Sequence, residues 1–215
     1  MAPSPANQLV PSIASESLSE ALTTIADTSL DVAITSGVLD GIPVVGILTG
    51  TLKAARDIRE VFLFRKLLAF LKQADRMRLE ERQRFEKTFA DTKAQEDFGA
   101  ALLVLIDRAE DLDKPRILGR LLVAHARGAF DQATLMRLSK MVDRCYVEDL
   151  GLLRSFTFGL MPKREVEAQN LASQGFLYQA GMDGGDASGS NGGILYQISP
   201  YGQLLTQHAT TIRVD

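Results

Sequence analysis

The chain has 215 residues, with 24 Lys and Arg against 27 Asp and Glu, a net charge of −3, and 46% hydrophobic against 24% charged residues. That length suits one larger domain or two small ones with a sizeable core. The charge balance gives no reason to expect nucleic acid as an obligate partner. A single cysteine, Cys145, excludes an intramolecular disulfide and fits a reducing compartment. Met1 to Ser15 has neither a basic start nor an unbroken apolar core, so no secretory signal is read there. The expected location is cytoplasmic, with membrane association as the variant.

MAPSPANQLVPS has three prolines in eleven residues and reads as part of a flexible lead-in, 1–14. Ser15 to Leu39 follows as a helix whose apolar stripe, Leu18, Leu22, Ile25 and Val32, is diluted by Ser and Thr. Asp40-Gly41-Ile42-Pro43 breaks it, and a second helix is expected from Pro43 to Gln73. Gly37 and Gly41, then Gly46 and Gly50, are each four apart and would notch one helix face for packing or for membrane entry. The uncharged run between Asp40 and Lys53 is too short to cross a bilayer as a helix, which takes roughly twenty residues.

The Pro43 helix changes its apolar side along its length. Ala55, Ile58, Val61 and Phe62 lie together on a helical wheel, whereas Leu63, Phe64, Leu67, Phe70 and Leu71 gather opposite. Such a helix needs apolar neighbours on two sides, so it is expected at the centre of the fold. Charge is divided around it: residues 1–52 carry no Lys or Arg and a net −5, whereas 53–90 carry eleven bases against six acids. Arg56, Arg59, Arg65, Lys66, Arg76, Arg78 and Arg82 are therefore the candidate interaction surface.

Asp75 to Ala90 reads as a solvated helix with Leu79, Phe85 and Phe89 as anchors. Asp91 is expected to cap the next, which carries Phe98, Leu102, Leu105 and Ile106. Asp113-Lys114-Pro115 is a helix start. Ile117, Leu118, Leu121 and Leu122 form the inner face of that helix, and Gly128 ends it. Asp131 caps one more, through Cys145. The division expected is a helical domain, 15–145, and a module, 146–215.

In the module, Lys163 to Gly175 reads as a helix. Phe176 to Met182 and Gly193 to Ser199 alternate as strands around a glycine-rich loop, and Pro200 to Thr206 is a helix. The order helix, strand, loop, strand, helix outlines a winged helix. The fold class expected is thus mostly α, six or seven helices, with a small C-terminal winged-helix-like α+β module built on a two-stranded hairpin. DNA binding is the obvious use of that shape, but residues 147–215 hold four bases against seven acids.

The motifs IPVVGILTGTLKAARDIREVFLFRKLLAFL, ALLVLIDRAEDLDKPRILGRLLVAHARGAFDQATLMRLS, LASQGFLYQ and ILYQISPYGQLL resemble a family of uncharacterised bacterial proteins of similar length, over Asp40 to about Leu205. The resemblance implies a helical body with a winged-helix-like end and a setting in bacterial defence or mobile elements. It supplies no catalytic residue.

No catalytic, cofactor-binding or metal residue is assigned. His125 lies on an apolar face, Cys145 completes a core stripe, and Asp107, Glu110, Asp111 and Asp113 read as a solvated helix end. The function expected is that of a non-enzymatic cytoplasmic protein acting through protein–protein contacts, with another protein or with itself as a homo-oligomer. The alternatives are a membrane-active effector that inserts the 15–52 hairpin, and a winged-helix DNA-binding regulator; nucleic acid is the least favoured partner.

Overall fold

The structure, a computed structural model, describes residues 4–27, 41–47, 58–158, 165–184 and 193–209. It is mostly helical, with one two-stranded antiparallel hairpin near the C-terminus. Two compact units divide the chain, Met1–Ala129 and Phe130–Asp215.

The first unit opens on α1 (Pro5–Ala14), where a flexible lead-in was expected. Ser4 caps this helix: its Oγ accepts the Asn7 amide at 3.3 Å while Asn7 Oδ1 accepts the Ser4 amide at 3.1 Å, and Pro5 takes the first helical position. Leu9, Val10 and Ile13 are fully buried, which holds α1 in place despite Pro11 within it. α2 (Leu18–Asp27) follows, and residues 43–47 form a further helical turn. Buried Ser12 joins that turn to α1, donating to Gln8 O at 2.6 Å and accepting the Val44 amide at 2.8 Å.

α3 (Ile58–Ala74) is interior from Phe64 to Leu71 apart from Arg65, as expected of a central helix, and packs on α5 and α6. Each fully buried Leu or Phe on it contributes about 2 kcal/mol. Its first turn departs from the expectation: Ile58 is 84% exposed and Phe62 37%.

α4 (Leu79–Glu86) is not simply solvated, because Glu81, Arg82 and Phe85 are buried. α5 (Thr92–Arg108) starts on the Asp91 cap, which accepts the Ala94 amide at 2.8 Å. α6 (Asp113–Ala126) starts two residues before its proline, but Asp111 supplies the capping oxygen, accepting the Asp113 and Lys114 amides at 2.6 and 2.9 Å. Gly128, at φ +84°, closes α6 as expected. Phe85 is the hub of an aromatic cluster, with Phe89, Phe98 and His125 at 5.3, 5.8 and 6.0 Å between ring centroids.

The second unit begins sixteen residues before the expected boundary. Its first helix, α7 (Gln132–Asp143), is capped by Asp131 and belongs with the C-terminal elements: the Arg137 guanidinium lies 5.5 Å from the Tyr201 ring centroid. α8 (Val147–Leu152) runs into a 3₁₀ segment, Leu153–Phe158, and α9 (Glu165–Ser173) follows. β1 (Leu177–Asp183) and β2 (Gly193–Ile198) pair from Leu177 with Ile198 to Asp183 with Gly193, with a bulge between Gln179 and Gly181. Ser199 caps α10 (Pro200–His208) by accepting the Gly202 amide at 3.1 Å, and its hydroxyl donates to Gly175 O at 2.6 Å.

Among the described residues no helix is long and apolar enough to cross a membrane. Much of the proposed 15–52 hairpin lies outside the described residues.

Two close approaches of backbone set the first unit. A Cβ on Gly99 of α5 would lie 2.1 Å from Ala6 O of α1, and one on Gly119 of α6 would lie 2.7 Å from both Phe70 O and Gln73 Cβ of α3. Neither backbone oxygen can give way without parting two helices. Gly99→Ala and Gly119→Ala are each expected to cost about 3 kcal/mol in urea unfolding, whereas Gly151→Ala in α8, which meets nothing within 4 Å, should leave the midpoint unchanged or raise it.

Candidate functional site

The helical repeat of α3 brings Arg65, Leu68, Ala69 and Lys72 onto one strip at i, i+3, i+4 and i+7. Leu112 and Arg116, four apart across the start of α6, line the other side of a groove of about 260 Å³, with Gln73 between. Buried Leu68 and Ala69 form its floor, and the Gly119 approach closes its foot.

Arg120 follows Gly119 and donates from Nε to Gln73 Oε1 at 3.2 Å. Burial, and after it the neighbouring Arg76 and Arg116, hold this guanidinium below its ordinary pKa, with Asp113 acting the other way. Three cations thus line the groove, Arg65, Lys72 and Arg116, with Arg120 and Arg76 close by. Asp113 pairs with Arg116 at 2.6 Å, an exposed contact of small energetic value. The groove is a cationic recess with an apolar floor, suited to carboxylate or other anionic groups.

The expected surface is only partly a surface. Arg65 is exposed at the groove, and Arg76 is exposed just beyond the end of α3. Arg59 is exposed on the first turn of α3, and Arg78 is exposed at the start of α4, 3.7 Å from Glu81. Arg56 lies outside the described residues.

Lys66 and Arg82 are corrections. Lys66 is 100° around α3 from Arg65 and so turns inward, 5% exposed; its Nζ donates to Asp107 O at 2.6 Å and lies 4.7 Å from the Phe62 ring centroid. Burial lowers its pKa, against the pull of Asp107 and Asp111. Arg82 is 4% exposed and ties α4 to the α2 side of the unit through Asp75 at 3.3 Å and Ser19 Oγ at 3.5 Å. Neither is available to a partner.

Of the four notch glycines, Gly41 and Gly46 are described, and Gly37 and Gly50 lie outside the described residues. The Gly41 carbonyl accepts the Ser17 hydroxyl at 2.6 Å, and Gly46 donates its amide to Ile42 O at 2.9 Å. His125 packs edge-on against Phe85, and Cys145 is buried. No group of acids, histidines or cysteine among the described residues has the arrangement of a metal site.

Arg116 and Arg120 are not among the residues that the charge pattern of the sequence singles out. Their spacing of four is visible in the sequence, but that Arg116 faces Arg65 and Lys72 across a groove is not. No protein-family model, no curated protein and no solved structure matches the chain.

Below the groove, Glu81 links the α3–α4 corner to the end of α6. It accepts the Arg78 amide at 2.9 Å and Arg127 Nη2 at 3.3 Å. The amide bond first, and then Arg127, hold its carboxyl below the ordinary carboxylate value of 4.5, against burial. A depressed folded-state value means stability that is complete above the ordinary value and is lost as pH falls through the folded one. Acidification from about pH 5 to about pH 2.5 should therefore lower the melting temperature of the wild type more than that of Glu81→Gln. Parallel curves would remove Glu81 from this role.

Proposed function

We propose that the protein acts through protein–protein contacts rather than catalysis, and that the α3–α6 groove is the contact through which one copy binds another. The observation that carries this reading is a recess lined by three cations, with Arg120 and Arg76 beside it, in a chain whose net charge is negative.

Exposed acids suited to it exist on the same chain. Residues 1–52 have no base at all, and Glu16 and Glu20, at the start of α2, are exposed. Charge complementarity of this kind selects partner and register and speeds association more than it adds affinity. The groove is too small to be the whole interface, since a stable contact covers about 800 Å² on each partner. The contact must therefore extend over the exposed sides of α3 and α6. Because cationic and acidic faces differ, the contact is head-to-tail and propagates into rings or chains of copies rather than stopping at a two-fold pair.

Light scattering at rising protein concentration tests this. At about 50 mM salt the mass is expected to climb above the 23.5 kDa of one chain, and at about 500 mM to return toward it. Arg65→Glu with Arg116→Glu, both exposed, should hold the protein at single-chain mass in low salt without lowering its melting temperature. A mass that stays at one chain throughout, or that rises only with anionic lipid vesicles or duplex DNA, would replace this reading with the membrane or the nucleic-acid one.

A further inference from the structure

The second unit has a larger recess that none of the preceding roles uses. It lies between α7, the turn from α9 into β1, and α10, and has a volume of about 610 Å³. Small-molecule sites fall between about 300 and 1,000 Å³.

Its chemistry comes from one face of α7. Arg137, Lys140 and Arg144 fall at i, i+3 and i+7, within about 60° of arc and spread over about 10 Å of helix. All three are exposed, and the ion pairs found among the described residues involve none of them. The Arg137 guanidinium lies over the Tyr201 ring, 5.5 Å from its centroid, a cation–π contact that restrains it at the recess. Met136 and Met141 add polarisable apolar wall on the flanks of the same face.

Opposite them, the α9–β1 turn supplies Ser173, Gln174 and Gly175. Gly175, at φ +85°, has Met141 Cε 3.5 Å from the place a Cβ would occupy, and its carbonyl is held by Ser199. The wall is therefore fixed by hydrogen bonds rather than by loosely placed side chains.

We propose that this recess binds a phosphate-bearing small molecule of nucleotide size. Arg137 forks onto one phosphate, Lys140 and Arg144 neutralise the next, and the methionine and tyrosine walls take an aromatic ring. Three cations in a row exceed what a single carboxylate needs, whereas two linked phosphates carry a matching charge. A duplex is disfavoured as the source of phosphate, because the third helix and hairpin of the unit, Glu165 to Ile198, contain no Lys or Arg.

Calorimetry on the full chain, with pyrophosphate and with adenosine triphosphate as probes, tests the site. Both are expected to bind once per chain, the nucleotide about tenfold tighter because its ring adds apolar contact. Lys140→Glu with Arg144→Glu should weaken both by about tenfold or more. Arg65→Glu with Arg116→Glu, in the other unit, should leave both unchanged. If the double variant melts early, Arg144→Gln alone and the fall of wild-type affinity with salt are read instead. Equal affinity for the two probes assigns the site to free phosphate groups without a base. No heat from either probe, affinities unmoved by the α7 variants, or loss in the Arg65 and Arg116 variant would overturn the proposal.

Discussion

The first unit depends on the crossing of α3 and α6 at Gly119. A side chain there would collide with Phe70 O, so only glycine lets the two helices close. That closeness accompanies the full burial of Phe70 and Leu71. It also accounts for the electrostatics above. Arg120, one residue beyond the crossing, is partly desolvated and takes the Gln73 amide oxygen for a partner, with Arg116 and Arg76 close by. The charge of the recess thus follows from the packing beneath it.

The same crossing decides which cations of α3 are surface and which are structure. Arg65 and Lys66 are adjacent in sequence, yet one faces the groove and the other a backbone carbonyl in the interior. The lysine stem can lie along apolar neighbours while the ammonium reaches Asp107 O, which makes the inward position tolerable. Arg82 is held comparably by Asp75 and Ser19. A charge count along the chain treats all three as equal.

What was legible in the sequence was local. Asp91 and Asp131 cap the helices they were expected to cap, Gly128 ends α6, and the hairpin and its flanking helices fall within a few residues of their expected places, because each depends on chemistry over three or four positions. Two local signals competed and were misjudged. The prolines of the first eleven residues suggested a flexible segment, but Ser4-Pro5 is a helix start, and Leu9, Val10 and Ile13 form an apolar strip that α5 covers. At α6, Asp111 rather than Asp113 reaches the first amides. What was not legible was tertiary: Gly99 and Gly119 look like ordinary helix-weakening residues until a second backbone is placed against them.

Where the chain divides also changes what its charges mean. A module starting at residue 146 has a net charge of −3 and no basic helix, and it reads as a wing without cations. Starting at Phe130, it gains Arg137, Lys140 and Arg144 on its first helix, while the segment Glu165 to Ile198 stays free of bases. The positive charge is therefore carried by a different element from the helix and hairpin that a winged-helix DNA reader would use, and it lines a recess rather than a projecting edge. A compact anion can enter such a recess and meet the row of cations along its length, whereas the phosphates of a duplex lie on a convex rod that the recess can touch only at its rim. The outline of this unit and the placement of its charge thus point to different ligands, and the charge is the stronger guide because it acts on the ligand directly.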